Sequence, residues 1–279
     1  MFYTDYRLQF PVRTETPNPV FARALQQAIG GVEGEIRVAM QYMFQGWAMP
    51  GTSKYREMLL NTAAEEIGHI EMLATAVAQN LAGAPLEVQE AVSQDPVAGH
   101  VLNGMNFKQL LSAGLHAMPI DSDGVPFDMS HIYASGNLGG DMYANVTAEA
   151  TGRTLATRLY AMTNDPGMRE MLAYLIARDT MHQQQWLAVL EETGGRDVQL
   201  PIPNTFPREQ ENREFSHVYL GFTQDGAEPP RGRWSEGPAF DGEGEFSQRP
   251  MEPMGGTPEV PPPAPGTFPQ DAQLREDPQ

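Results

Sequence analysis

The chain contains no cysteine. Disulfides and thiolate ligands are therefore excluded, and any metal must be held by histidine and carboxylate groups. That ligand set suits manganese, iron, magnesium or calcium better than a structural zinc. Positive charge is scarce: 18 lysines and arginines stand against 36 aspartates and glutamates, giving a net charge of −18. Such a field argues against nucleic acid or an anionic membrane as a partner. No run of about 18 apolar residues occurs, so no membrane-spanning helix is expected. Residues 1–17 lack the apolar stretch of a signal peptide, which makes a cytoplasmic location the expectation. No repeat of about 20–50 residues is found. Hydrophobic residues still make up 41% of the 279 positions, enough to bury a core.

What the chain does have is helical periodicity. After an extended lead-in over residues 1–17, the pattern predicts a helix from about Pro19 to Met49. Its apolar seam, Phe21, Leu25, Ala28, Val32, Glu35, Ala39, Tyr42 and Gly46, steps by four and three. Pro50-Gly51-Thr52-Ser53 stops it and caps a second helix running to about Leu81, with the seam Leu59, Ala63, Glu66, Ile70, Leu73 and Val77. Residues 84–136 form a long, weakly periodic connection, of the kind a bundle with one long crossover expects. His100, His116 and His131 lie in it without a partner at ligand spacing and read as surface or packing histidines. A third helix is expected from about Leu138 to Thr163, with the seam Leu138, Met142, Asn145, Glu149, Gly152, Ala156 and Leu159. Asn164-Asp165-Pro166 caps a fourth, with the seam Met168, Leu172, Leu175, Asp179, His182, Trp186 and Val189, which Gly194-Gly195 ends. From Arg196 the composition shifts, with more than half of the 24 prolines beyond it. Residues 1–195 therefore read as an all-α four-helix bundle with a long crossover between its second and third helices. Residues 196–279 read as an arm on the bundle or on neighbouring subunits, with Tyr219-Leu220-Gly221-Phe222-Thr223 as a candidate strand and Pro261-Pro262-Pro263 extended.

Each helix carries a polar residue in its apolar seam: Glu35, then Glu66 with His69, then Glu149, then Asp179 with His182. Glu66 and His69 are three residues apart, about 60° around the helix, so their side chains leave nearly the same face. Asp179 and His182 repeat that spacing. Glu66 sits in the apolar seam, whereas Glu65 lies about 100° away from it. A buried, unpaired carboxylate is costly and needs a metal or a charged partner. The order Glu, Glu-x-x-His, Glu, carboxylate-x-x-His is the layout of a dinuclear site in a ferritin-like bundle. That pattern would place glutamate at 179, and Asp179 is one methylene shorter. It therefore reads as a base, or as an orienting partner of His182, which leaves open positions for substrate. Tyr42, two turns after Glu35, is placed to hydrogen-bond into the site.

Several of these segments resemble the dimanganese, non-haem catalases. They are Gly30-Gly31-Val32-Glu33-Gly34-Glu35, Thr62 to Met72, Ser135-Gly136-Asn137-Leu138, Ala177 to Gln183, Phe215-Ser216-His217-Val218 and Met254-Gly255-Gly256-Thr257-Pro258. The resemblance runs from Leu8 to about Gly266. It implies a homohexamer that disproportionates hydrogen peroxide to water and dioxygen, cycling two manganese ions between a dimanganese(II) and a dimanganese(III) state. It also makes Glu35, Glu66, His69, Glu149 and His182 the manganese ligands, with Glu66 bridging, and makes residue 179 a proton-handling group. Some members carry arginine just before the third glutamate; Ala148 here implies a less obstructed approach. Certain members bind calcium between subunits, and the matching positions are Glu57, Asn61, Gly221, Thr223 and Asp225. Two other readings use the same residues: a di-iron oxidase or ferroxidase centre, and a non-enzymatic metal-storing or coat protein.

Overall fold

The computed structural model describes residues 5–49, 54–82, 104, 106–195, 200–203, 205–222, 230–258 and 261. The chain divides into two compact units, Met1–Phe206 and Pro207–Gln279. In the first, the helices are α1 (Pro19–Gly30), α2 (Glu35–Ala48), α3 (Lys54–Leu81), a short α4 (Phe107–Leu111), α5 (Leu138–Met162) and α6 (Pro166–Glu192). The bundle is built from α1 with α2 as one column and α3, α5 and α6 as the other three.

The single helix expected over 19–49 is in fact two, and this corrects the sequence reading. Gly30 lies against the crossover, and a Cβ there would run into the backbone of Ile120. The crossover is held by α1 side chains. Gln26 donates to the carbonyls of Met118 and Ile120 at 2.8 and 3.0 Å, and Arg23 donates to that of Ser122 at 2.6 Å. Val32, counted above as a seam residue, falls in the break and is 38% exposed. The break makes Glu35 the first residue of α2, where the positive end of the helix dipole favours a carboxylate.

The other boundaries fall close to the sequence reading. The Asn137 side chain caps α5 by accepting from the N–H of Gly140 at 2.8 Å. Asp165 caps α6, with Pro166 in its first turn. The described part of the lead-in, residues 5–18, forms neither helix nor strand and runs across the helices. Gln9 donates to the carbonyl of Glu65 at 2.9 Å, Gln79 donates to that of Val12 at 3.1 Å, and Phe10 stacks on Tyr174.

The core forms two apolar clusters. One gathers Phe21, Leu25 and Ile29 with Met72, Leu73, Val77, Leu159, Met168, Leu172 and Leu175. The other gathers Val38, Tyr42 and Met43 with Leu59, Ala63, Met142, Trp186 and Val189. On α3 and α6 the polar seam residues lie between the positions that enter the two clusters: 66 and 69 between 63 and 72, and 179 and 182 between 175 and 186. At about 1.5–3 kcal/mol for each large side chain removed from water, both clusters stabilise strongly, which lets the layer between them stay polar.

In the second unit, the strands are β1 (Val218–Gly221), β2 (Gly237–Pro238) and β3 (Glu245–Pro250). They form a sheet ordered β1-β3-β2, with β1 parallel and β2 antiparallel to β3. The candidate strand at 219–223 thus begins at Val218 and ends at Gly221; Phe222 lies beyond it and Thr223 lies outside the described residues.

Asp165 offers a test of the helix start. Besides capping Met168 at 3.1 Å, it accepts from the N–H groups of Glu15 and Thr16 at 2.7 and 3.0 Å. Burial opposes its ionisation, but the N–H groups outweigh that and hold its pKa below the ordinary value. A lowered carboxylate pKa contributes stability above the unfolded value, near 3.9, that is lost as pH falls through the folded one. Asp165→Ala should lower stability by about 1–2 kcal/mol at neutral pH. Urea melts at a series of pH values should show the gap narrowing only below pH ~4.

Candidate metal centre

Two trios of potential ligands meet in the polar layer: Glu35, Glu66 and His69, and Glu66, Glu149 and His182. Within each trio the ligand atoms lie within 4.8 Å of one another. Glu66 belongs to both and is only 1% exposed. Its Oε2 lies 2.6 Å from His69 Nδ1, and its Oε1 lies 2.8 Å from His182 Nδ1. Glu35 Oε2 reaches to 3.9 Å from His69 Nδ1, and Glu149 Oε1 to 3.5 Å from His182 Nδ1. All five residues expected to hold manganese therefore converge, with Glu66 between the two histidines.

Asp179 is buried (6% exposed) and joins neither trio. Burial, and then the charges of Glu35, Glu149 and Glu66, push its pKa up to about 9, so it holds a proton at neutral pH in the metal-free protein. The Tyr42 hydroxyl donates to Glu149 Oε1, and the Tyr42 ring rests on Trp186 with centroids 4.8 Å apart. Ala148, expected to mark an open approach, is packed in the second apolar cluster. Solvent reaches the layer at the side chains of Glu35, 15% exposed, and Glu65, 25% exposed. His116 and His131 are exposed, away from the layer, and His100 lies outside the described residues. Of the calcium positions, Glu57 and Asn61 are exposed one turn apart on α3 and Gly221 ends β1, while Thr223 and Asp225 lie outside the described residues.

Sequence reasoning missed Glu65. Its Oε2 lies 3.2 Å from His182 Nε2, its Oε1 lies 3.6 Å from His69 Nε2, and Arg178 Nε donates to Oε1 at 2.6 Å. Burial opposes its ionisation, but His182, His69 and Arg178 outweigh that and hold it well below the usual carboxylate range. The signal was its spacing from His69: four residues apart is as close around a helix as three.

The layer fits a cation. Both oxygens of Glu66 and all four ring nitrogens of His69 and His182 are buried without a hydrogen bond among the described residues. Buried polar groups are normally satisfied, and four of these atoms, the two Glu66 oxygens and the Nδ1 atoms that face them, converge where a metal would sit. With both imidazoles neutral, as ligands must be, the carboxylates of Glu35, Glu65, Glu66 and Glu149 face only the Arg178 guanidinium, an excess of negative charge that divalent ions would balance. The donors are nitrogen and oxygen only, which suits manganese or iron.

A helical bundle carrying carboxylate–histidine pairs on facing helices defines the ferritin-like dinuclear metal proteins. The comparisons narrow this class. A family model described as manganese containing catalase matches residues 1–277. The chain is 44% identical over 265 residues to a manganese catalase of Bacillus subtilis, covering 95% of this chain and 96% of that protein. It is 47% identical over 247 residues to the uncharacterized protein YjqC of Bacillus subtilis, covering 88% of each. Among solved structures, wild-type KatB, a manganese catalase from Anabaena, shares the fold with a TM-score of 0.69 at 24% identity, covering 89% of this chain and 99% of that one. The chain belongs to the manganese-containing catalase family. Membership makes it an enzyme of the catalase type that uses manganese and acts on hydrogen peroxide.

Protons and metal compete for this layer. Burial, and then the charge of Glu66, push Glu35 up to about 7. Burial would lower His182, but Glu149, Glu65 and Glu66 raise it to about 12, and His69 likewise stands well above its ordinary value. Glu35 is thus protonated below pH ~7 and both histidines are cations in the metal-free protein, and all three must lose protons to ligate. Manganese(II) affinity should therefore rise by more than about tenfold per pH unit from 6 to 8. Chelator competition measures the slope, and pH-stat titration should record proton release on loading.

Proposed function

We propose that the protein holds two manganese ions per chain, one by Glu35, Glu66 and His69 and one by Glu66, Glu149 and His182, and disproportionates two hydrogen peroxide molecules to two waters and dioxygen. The observation that carries this reading is the sharing of buried Glu66 between two histidine-containing trios. When bound, the metal pair supplies the two-electron store that peroxide must both fill and empty.

The residues do the rest. Glu66, fixed on α3 between two apolar clusters, holds both half-sites at one spacing. Tyr42 donates its hydroxyl proton to Glu149 and so limits the swing of that carboxylate. Asp179, buried beside the ligand carboxylates, is the group that would carry one of the two protons that peroxide reduction takes up and peroxide oxidation returns, water carrying the other. The clusters on either side keep bulk water out of the layer, where each charge acts more strongly than in solvent.

The finer proposal is a cytoplasmic homohexamer whose 196–279 arm ties neighbouring subunits together, with calcium as a second cation at Glu57, Asn61, Gly221, Thr223 and Asp225. The di-iron oxidase and storage readings draw no support from the family assignment.

Oxygen evolution on adding peroxide, with metal analysis of the same sample, tests the reading. Rapid oxygen release with about two manganese per chain is expected, and Glu66→Ala should abolish both. Iron in place of manganese, or bound manganese with no oxygen release, would refute it. Asp179→Asn should retain both ions but lose about 10²–10⁴-fold in turnover, the usual range for a positioned proton carrier.

A further inference from the structure

Adjacent glutamates on α3 grip opposite edges of the same two imidazoles. Glu66 meets the Nδ1 edges, with Oε2 toward His69 and Oε1 toward His182. Glu65 meets the Nε2 edges, with Oε1 toward His69 at 3.6 Å and Oε2 toward His182 at 3.2 Å. The two rings lie nearly parallel, 25° apart with centroids separated by 6.0 Å, so one carboxylate can face both. Arg178 holds that carboxylate by both oxygens, donating from Nε to Oε1 at 2.6 Å and from Nη2 to Oε2 at 3.3 Å.

The sequence shows why this happens. On α3 the run is Glu65-Glu66-x-x-His69; on α6 it is Arg178-Asp179-x-x-His182. In each, the histidine sits about 40° from the first residue and about 60° from the second, so it is flanked by both. The two runs match in spacing and differ in sign at the first position, where a glutamate meets an arginine. A forked guanidinium suits a carboxylate whose two oxygens must be held apart for two different partners.

We propose that Glu65 is a positioning residue for both metal half-sites at once, and that Arg178 sets it by assigning one carboxylate oxygen to each histidine. The proposal rests on the dinuclear reading above. Each Nε2 edge faces a Glu65 oxygen and each Nδ1 faces Glu66, so with Nε2 as the protonated nitrogen both Nδ1 lone pairs turn into the metal layer, and the same anion makes both imidazoles better donors. Arg178, which sits on the helix of His182 alone, therefore governs the His69 half-site on α3 as well.

The test uses full-length protein loaded with manganese(II), comparing wild type with Glu65→Gln, Arg178→Gln and Arg178→Lys. Two ions per wild-type chain checks the dinuclear reading separately. Stepwise removal by chelator is followed by EPR, with pulsed EPR reading the nitrogen couplings of the coordinated histidines. Circular dichroism and melting of the metal-free variants check folding, and Glu65→Gln, nearly isosteric, together with Arg178→Lys keeps the test alive if Arg178→Gln does not fold. Glu65→Gln and Arg178→Gln should each weaken both ions roughly 10–100-fold and shift both nitrogen couplings. Arg178→Lys, which keeps the charge and loses the fork, should fall between. Loss of only the ion at His182 in the Arg178 variants would overturn the proposal. So would a lower melting temperature with unchanged affinities and couplings, since that marks an ion pair that merely joins two helices.

Discussion

A carboxylate buried at the centre of a helical bundle is the constraint from which this structure follows. Glu66 is almost wholly removed from water, and an isolated anion there would cost many times the net stability of a domain. It is tolerated because both its oxygens face nitrogen donors and because cations belong in the same layer. The two apolar clusters on either side are the other half of that bargain. They hold the helices firmly enough that the layer's carboxylates cannot drift apart to relieve their repulsion.

The first column of the bundle shows how backbone geometry serves the site. Continuing α1 into α2 without a break would have left Glu35 in mid-helix. The crossover instead presses on Gly30, the chain turns through residues 31–34, and Glu35 opens α2 where the helix dipole suits an anion. Further along, Gln41 and Gln45 on α2 bond to Asn145 on α5 and to the backbone of Tyr133, so the end of the crossover and the helix carrying Glu149 are fixed by the same buried amides. Neither Glu35 nor Glu149 is placed by its own helix alone.

Catalysis of peroxide disproportionation requires protons to enter and leave a dry layer without bringing bulk water with them. In the function proposed above these tasks are divided: Asp179 carries a proton next to the carboxylates, and solvent reaches the layer at Glu35 and Glu65. Tyr42 fixes Glu149 from a fully buried position against Trp186. Asp179 lies in the same layer but outside both ligand trios.

The sequence by itself determined the helices, the seam and its polar residues. Period-3.6 patterning is dictated locally, and a charged residue at a seam position is visible wherever its neighbours are apolar, which is why Glu35, Glu66, His69, Glu149, Asp179 and His182 could be named before any coordinates. It also held the break after Gly30, in the cluster of Gly30, Gly31 and Gly34, but the continuing four-and-three step masked it. What only the tertiary structure decided are the partnerships between helices. Nothing along α3 indicates that Glu65 meets Arg178, more than a hundred residues away, or that it faces the histidines of two helices. Spacing fixes direction around one helix axis; distance and rotation between axes come from packing. The same reason explains the sheet of the second unit, where β3 pairs with β1 and β2 through backbone groups that carry no side-chain signal.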